Sequence, residues 1–168
     1  SISLGSAETT LLKLTSAYAV FINGGKLIDP IIIDRIQDSR GNTILNNEKR
    51  KCVNCNKISY LSGDYPEIKN NYKQIFSTET AFQMTSILEG VVQRGTAKKL
   101  KDLKLNIAGK TGTTNKNTDT WFIGFTSNLL VGVYVGSDNP MSLGKYETGS
   151  KTALPIFKKF IKNSVKKS

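Results

Sequence analysis

Between Leu105 and Val135 the sequence holds three short apolar runs separated by polar turns, with no room between them for a crossover helix. Leu105-Asn-Ile-Ala108 leads into Gly109-Lys-Thr-Gly-Thr-Thr114, and Asn115–Asp119 connects this to Thr120-Trp-Phe-Ile-Gly-Phe-Thr126. Ser127-Asn128 then turns the chain into Leu129-Leu-Val-Gly-Val-Tyr-Val135. Parallel neighbours need a connection of roughly a dozen residues or more, so this spacing predicts three consecutive antiparallel strands. Such a sheet must bury at least one face against other elements, and the flanking sequence supplies helices to do it.

Residues 8–23 repeat Leu11, Leu14, Tyr18 and Phe21/Ile22 at helical spacing, with Glu8 at the positive end and Asn23-Gly24-Gly25 as the stop. A second helix is predicted over 78–94, capped by Ser77 and ended by Gly95, with Ala81, Met84, Leu88, Val91 and Val92 on its apolar face. A third is predicted over 153–165. Pro155 is tolerated in its first turn, Ile156, Phe157, Phe160 and Ile161 turn to the sheet, and Lys158, Lys159, Lys162, Lys166 and Lys167 face water. Residues 27–46 read as two strands, Ile31-Ile-Ile33 with Ile36 and Thr43-Ile-Leu45, around a turn at Asp38–Asn42. Residues 47–76 show no sustained period and read as a long loop or insertion. The 168 residues thus predict one α+β domain with an antiparallel sheet.

Histidine is absent, which removes Ser-His-Asp and Cys-His mechanisms and His-dependent metal sites from this chain. No cofactor is expected. Lys+Arg 24 against Asp+Glu 13 gives a net charge of +11. The lysines fall in separate clusters at 49–51, 98–104 and 158–167 without interleaved aromatic residues, so the charge reads as solvated faces and no nucleic-acid partner is expected. Cys52 and Cys55 form a C-x-x-C that cannot complete a zinc site alone and does not follow a strand into a helix. A local disulfide in an oxidising compartment or a pair of free thiols both fit. No apolar run approaches the roughly 20 residues a membrane span requires. The chain opens Ser1-Ile-Ser3 without methionine and reads as a cut or processed piece.

Gly109-Lys110-Thr111 invites comparison with a phosphate loop, but Lys104 stands where that motif needs its first glycine, and a strand rather than a helix follows. On a strand, Lys110 and Gly112 share one face and Thr111 and Thr113 the other. A glycine there lets a ligand backbone lie close, while two hydroxyls and an ammonium suit a carboxylate. Recognition of an extended peptide with an anionic end is one reading, and an ordinary threonine-rich strand is the other.

Ala108–Thr114, Asp119-Thr-Trp-Phe-Ile-Gly-Phe125 and Gly132–Pro140 together resemble the C-terminal half of the transpeptidase domain of class A penicillin-binding proteins. Gly90-Val-Val-Gln-Arg-Gly-Thr-Ala97, Leu4–Ala19 and Asn23-Gly-Gly25 extend the resemblance over nearly the whole chain apart from 47–76. The resemblance implies a partial serine-transpeptidase fold and a family chemistry built on S-x-x-K, S-x-N and K-T-G in that order. It assigns electrostatic support to Lys110, carboxylate binding to Thr111 and Thr113, close substrate approach to Gly112 and an oxyanion-hole N–H to Thr113. The implied partners are peptidoglycan stem peptides ending in D-Ala-D-Ala, β-lactams and the N-terminal half of the same domain, at the periplasmic face of the bacterial inner membrane. Trp121 and Asp119 match family positions and read as core and turn residues.

No S-x-x-K or S-x-N precedes Lys110. Ser142–Lys145, Ser164–Lys167 and Ser137–Asn139 fit those patterns literally but come after it, so residues 1–168 read as a C-terminal part without the nucleophile. Alone, such a piece is expected to be inactive, and its strand 129–135, deprived of a neighbour, is expected to recruit a second copy. A β-lactamase or D,D-carboxypeptidase relative and a non-catalytic wall-binding module are the competing readings.

Overall fold

In the computed structural model, residues 8–48, 50–55, 65–69 and 72–165 are described. The chain divides into two compact units: residues up to Leu27 with those from Gln74 onward, and Ile28–Lys73.

The first unit is built on a three-stranded antiparallel sheet in a partial α+β fold. Helix α1 (Leu11–Ile22) starts at Leu11 rather than at residue 8, capped by Thr10, whose hydroxyl accepts from Lys13 N–H. Helix α2 (Thr78–Gln93) is capped as expected by Ser77, which accepts from Thr80 N–H. A short 3-10 helix at Lys98–Leu103, which the periodicity did not mark, buries Leu100. Helix α3 (Ala153–Ser164) follows the sheet.

Two hairpins make up the second unit. β1 (Arg35–Gln37) pairs with β2 (Thr43–Asn46), and β3 (Lys51–Val53) pairs with β4 (Glu67–Lys69). One sequence expectation fails here and one gains detail. Ile31, Ile32 and Ile33 precede the strand instead of forming it and are exposed, because pairing begins only where Asn47 N–H donates to Asp34 O. The stretch 47–76 is not simply a loop, since Cys52 stands opposite Ile68 in its own ladder.

The sheet itself is the predicted one: β5 (Ala108–Thr113), β6 (Thr120–Phe125) and β7 (Leu130–Val135) in that order. β6 is central and its residues are almost wholly buried. Its pleat sends Phe122 to one face, where the ring meets Phe157 of α3 at 4.7 Å among Val92, Leu100, Ile107, Leu154 and Ile161. The other face carries Ala108 and Phe125 against Leu88 of α2, with Tyr18, Phe21 and Ile22 of α1. In α3 the buried residues are Ala153, Leu154, Phe157 and Ile161, whereas Ile156 and Phe160 stay exposed. The expected apolar set was therefore shifted by one flank of the helix.

Candidate functional site: a strand with an open edge

The ladder phase fixes which way the backbone of β5 points. Thr114 N–H donates to Asp119 O at 3.0 Å, and the register runs Thr113↔Thr120, Gly112↔Trp121, Thr111↔Phe122 and Lys110↔Ile123. Bonded and non-bonded pairs alternate in an antiparallel ladder, so Lys110 and Gly112 bond inward to β6. Thr111 and Thr113 then direct their N–H and C=O groups to the other edge of β5, which no strand covers among the described residues. The Lys110 ammonium reaches this edge and donates to Thr111 O at 2.8 Å. The run Gly109-Lys110-Thr111 lies within the extended strand, which agrees with rejecting the phosphate loop.

The side chains follow the expected alternation. On the Lys110 and Gly112 face, a Cβ at Gly112 would stand 3.2 Å from Trp121 Cβ, so the glycine is fitted to its cross-strand neighbour. Trp121 in turn packs on the Tyr134 ring with centroids 4.6 Å apart. On the opposite face, Thr113 Oγ1 accepts from Gly149 N–H at 3.1 Å, and Thr111 Oγ1 lies 2.9 Å from Thr96 Oγ1. The lysine and the two threonine hydroxyls therefore lie on opposite faces and approach each other only around the exposed edge.

Three supports for this strand were not read from the sequence pattern. Gly149 is buried with its Cα pressed on the sheet: a Cβ there would come 2.5 Å from Trp121 O and 2.6 Å from Gly112 O. Thr96 lay inside a quoted motif but carried no assigned role. Asp119 does more than occupy a turn. Its carboxylate accepts from Tyr134 OH at 2.7 Å and Thr118 Oγ1 at 2.8 Å, and its own N–H donates to Thr114 Oγ1 at 2.9 Å. The Tyr134 bond, then those from Thr118 and Thr114, hold its carboxyl below the usual aspartate range, while the same carboxylate pushes the Tyr134 phenol up.

Other expected residues fall elsewhere. Ser142–Lys145 lies in a loop, Ser137–Asn139 follows the end of β7, and Lys166 and Lys167 lie outside the described residues. Cys52 and Cys55 sit in the second unit with Cα atoms 5.8 Å apart, a separation a disulfide spans. A hollow of about 460 Å³ lined by Phe21, Phe82, Ala108 and Phe125 lies at the far end of β5 and touches none of Lys110–Thr113. Thr78, Thr85, Glu89, Thr126 and Ser127 also line it. Among the described residues no cluster of metal ligands occurs.

Residues 1–162 match the family model of the penicillin binding protein transpeptidase domain. The chain belongs to that family. It is similar to penicillin-binding protein 1A of Rickettsia bellii, 45% identical over 99% of this chain and 21% of the relative. It is likewise similar to penicillin-binding protein 1A of Neisseria flavescens, 36% identical over 96% of this chain and 18% of that one. The crystal structure of penicillin-binding protein 1A from Haemophilus influenzae superposes with a TM-score of 0.75 at 32% identity, covering 99% of this chain and 28% of the other. The chain thus spans about a fifth of the length of the curated relatives it matches. Within this transpeptidase domain, β5 is the strand that carries the Lys110-Thr111-Gly112 motif.

Proposed function

We propose that this chain is the C-terminal part of a peptidoglycan D,D-transpeptidase domain and supplies its substrate-binding strand. The observation that carries the reading is the open edge of β5, where Thr111 and Thr113 direct their N–H and C=O groups outward and the Lys110 ammonium donates to Thr111 O. A stem peptide lies along this edge as an added strand, its terminal carboxylate toward Thr111 and Thr113. The serine nucleophile, with its S-x-x-K and S-x-N partners, comes from sequence preceding Ser1.

In that assembly the serine oxygen attacks the carbonyl of the penultimate D-Ala, and the carbonyl electrons move onto its oxygen. Thr113 N–H, directed out of the strand edge, donates to the oxyanion as it forms. Collapse of the tetrahedral species breaks the peptide bond, and the terminal D-Ala leaves with a proton on its amine. An amine of a neighbouring stem peptide then attacks the acyl-enzyme and forms the crosslink, and the proton that this amine loses goes to the departing serine oxygen. Lys110 contributes positive charge beside the substrate carboxylate and the S-x-N residues. Benzylpenicillin acylates the same serine.

An enzyme acting on cell-wall peptides has its site on the periplasmic side of the inner membrane, and the longer protein carries an anchor and a glycosyltransferase domain elsewhere. A Cys52–Cys55 disulfide belongs to the same oxidising compartment. The exposed Leu12, Phe82 and Ile87 on α1 and α2 suit coverage by the N-terminal half of the domain.

Intact mass after incubation with benzylpenicillin tests the reading. This chain alone gains no adduct, whereas the chain extended upstream to the length of its relatives gains one penicilloyl group. An extended, folded chain that stays unmodified refutes the proposal.

A further inference from the structure

We propose that Thr96 is a positioning residue: its hydroxyl donates to Thr111 Oγ1 and thereby turns the Thr111 proton out toward the substrate carboxylate. This rests on β5 being the carboxylate-binding strand, and it explains how two ordinary threonines become directional donors.

Thr113 shows the principle. A backbone N–H can only donate, so in the 3.1 Å bond from Gly149 the Thr113 hydroxyl is the acceptor. Its own proton is left for another partner. Thr111 stands on the same face two residues earlier, and the one side-chain bond its hydroxyl makes among the described residues is the 2.9 Å contact with Thr96 Oγ1. Distance alone leaves either oxygen as donor. The chemistry of the ligand chooses between them.

A carboxylate has no proton to give, so Thr111 can bind it only by donating. Thr111 must then accept from Thr96. No other acceptor among the described residues competes for the Thr96 proton. A bond to an ionised oxygen is roughly twice as strong as a neutral one, so the anion sets the direction of the whole relay. Thr96 to Thr111 to carboxylate then runs in one sense, each bond polarising the next.

Thr96 is held firmly enough to do this. Arg94 N–H donates to Gly90 O at 2.9 Å, and Gly95 and Ala97 N–H both donate to Val91 O at 3.1 Å. Ala97 and Leu100 beside it are fully buried. A Cβ at Gly95 would stand 2.9 Å from Val91 backbone atoms, so this exit from α2 closes down on the helix. The two threonines of β5 are thus each primed by a different element behind the strand: Thr113 by the loop before α3, and Thr111 by the end of α2.

The test uses the full-length parent chain with Thr96→Val, which keeps shape but loses the hydroxyl, and Thr96→Ser, which keeps it. Second-order acylation rates are measured with benzylpenicillin and with its methyl ester, which lacks the anion. Thr96→Val is expected to lose roughly fivefold toward the acid, the fold-change of one ordinary hydrogen bond, and to match wild type toward the ester. Thr96→Ser is expected to match wild type with both. Equal losses on acid and ester, or a Thr96→Ser variant as slow as Thr96→Val, would overturn the proposal by showing that Thr96 acts through packing. A wild-type enzyme indifferent to esterification would overturn the carboxylate reading of β5 itself, and the Thr96 relay with it.

Discussion

Replacing Gly149 by alanine introduces a methyl group where the loop before α3 lies against the sheet. The new Cβ would stand 2.5 Å from Trp121 O and 2.6 Å from Gly112 O, well inside van der Waals contact. Both neighbours are backbone oxygens of paired strands, so neither can swing aside as a flexible side chain would. Overpacking of this kind costs about 1–3 kcal/mol. Moving the loop away also breaks the Gly149 N–H bond to Thr113 Oγ1, worth about another 1 kcal/mol. The combined loss of roughly 2–4 kcal/mol corresponds to a fall in Tm of roughly 4–16 °C in a domain of this size. Because the displaced element also supports Thr113, acylation by benzylpenicillin should slow by about tenfold or more, with the roughly 10²–10³ of losing an oxyanion donor outright as the ceiling. Thermal melts and stopped-flow acylation of the full-length parent measure both effects. A Gly149→Ala protein with wild-type Tm and wild-type acylation would refute the claim that this backbone contact holds the strand.

Phe157→Ala should destabilise by about 3–5 kcal/mol in a denaturant titration, since the ring is fully buried against Phe122 and no neighbour can fill the space. Asp119 has its folded pKa depressed below the ordinary value of 3.8, so its contribution to stability is complete above that value and is lost as the pH falls through the folded pKa. Asp119→Asn should therefore flatten the acid side of a Tm-against-pH curve below about pH 4, and an unchanged slope would contradict the hydrogen-bond assignment. Unreduced and reduced intact masses after thiol alkylation should show Cys52 and Cys55 unlabelled until reductant is added, as a disulfide requires. The outward backbone groups of Leu130, Gly132 and Tyr134 have no strand partner among the described residues, so the isolated chain should dimerise through β7. Light scattering that finds a monomer at high concentration would count against that pairing.

The sheet was legible because its evidence is local. Turn residues separate β5, β6 and β7, and the pleat alone places Lys110 and Gly112 opposite Thr111 and Thr113. The strand that carries Lys110–Thr113 could accordingly be placed from a few consecutive residues. What escaped depends on distant partners. The β3–β4 ladder joins Lys51 to Lys69 without a short turn to announce it. Ile31–Ile33 have the composition of a strand but no neighbour aligned to receive them. In α3 the helical period was right, yet Leu154 rather than Ile156 faces the core, a choice made by where the sheet stands beside the helix. Gly149 and Thr96 reach β5 across 36 and 15 residues respectively, and nothing in their immediate sequence says which strand they will meet.

The backbone around Gly25 has a consequence for the history of this chain. Ile75 and Phe76 N–H both donate to Gly25 O, Lys26 bridges to Gln74, and the φ of +86° at Gly25 lets the two strands of chain meet without a side chain between them. The excursion that leaves at Ile28 and returns at Lys73 is thus tied off at its base by residues that do not belong to it. Closing the loop is the task of the stem, and doubling what hangs from it adds only about 0.6 kcal/mol. That segment can be lengthened, trimmed or exchanged while β5, β6 and β7 keep their register, which makes it a natural graft point for new surface.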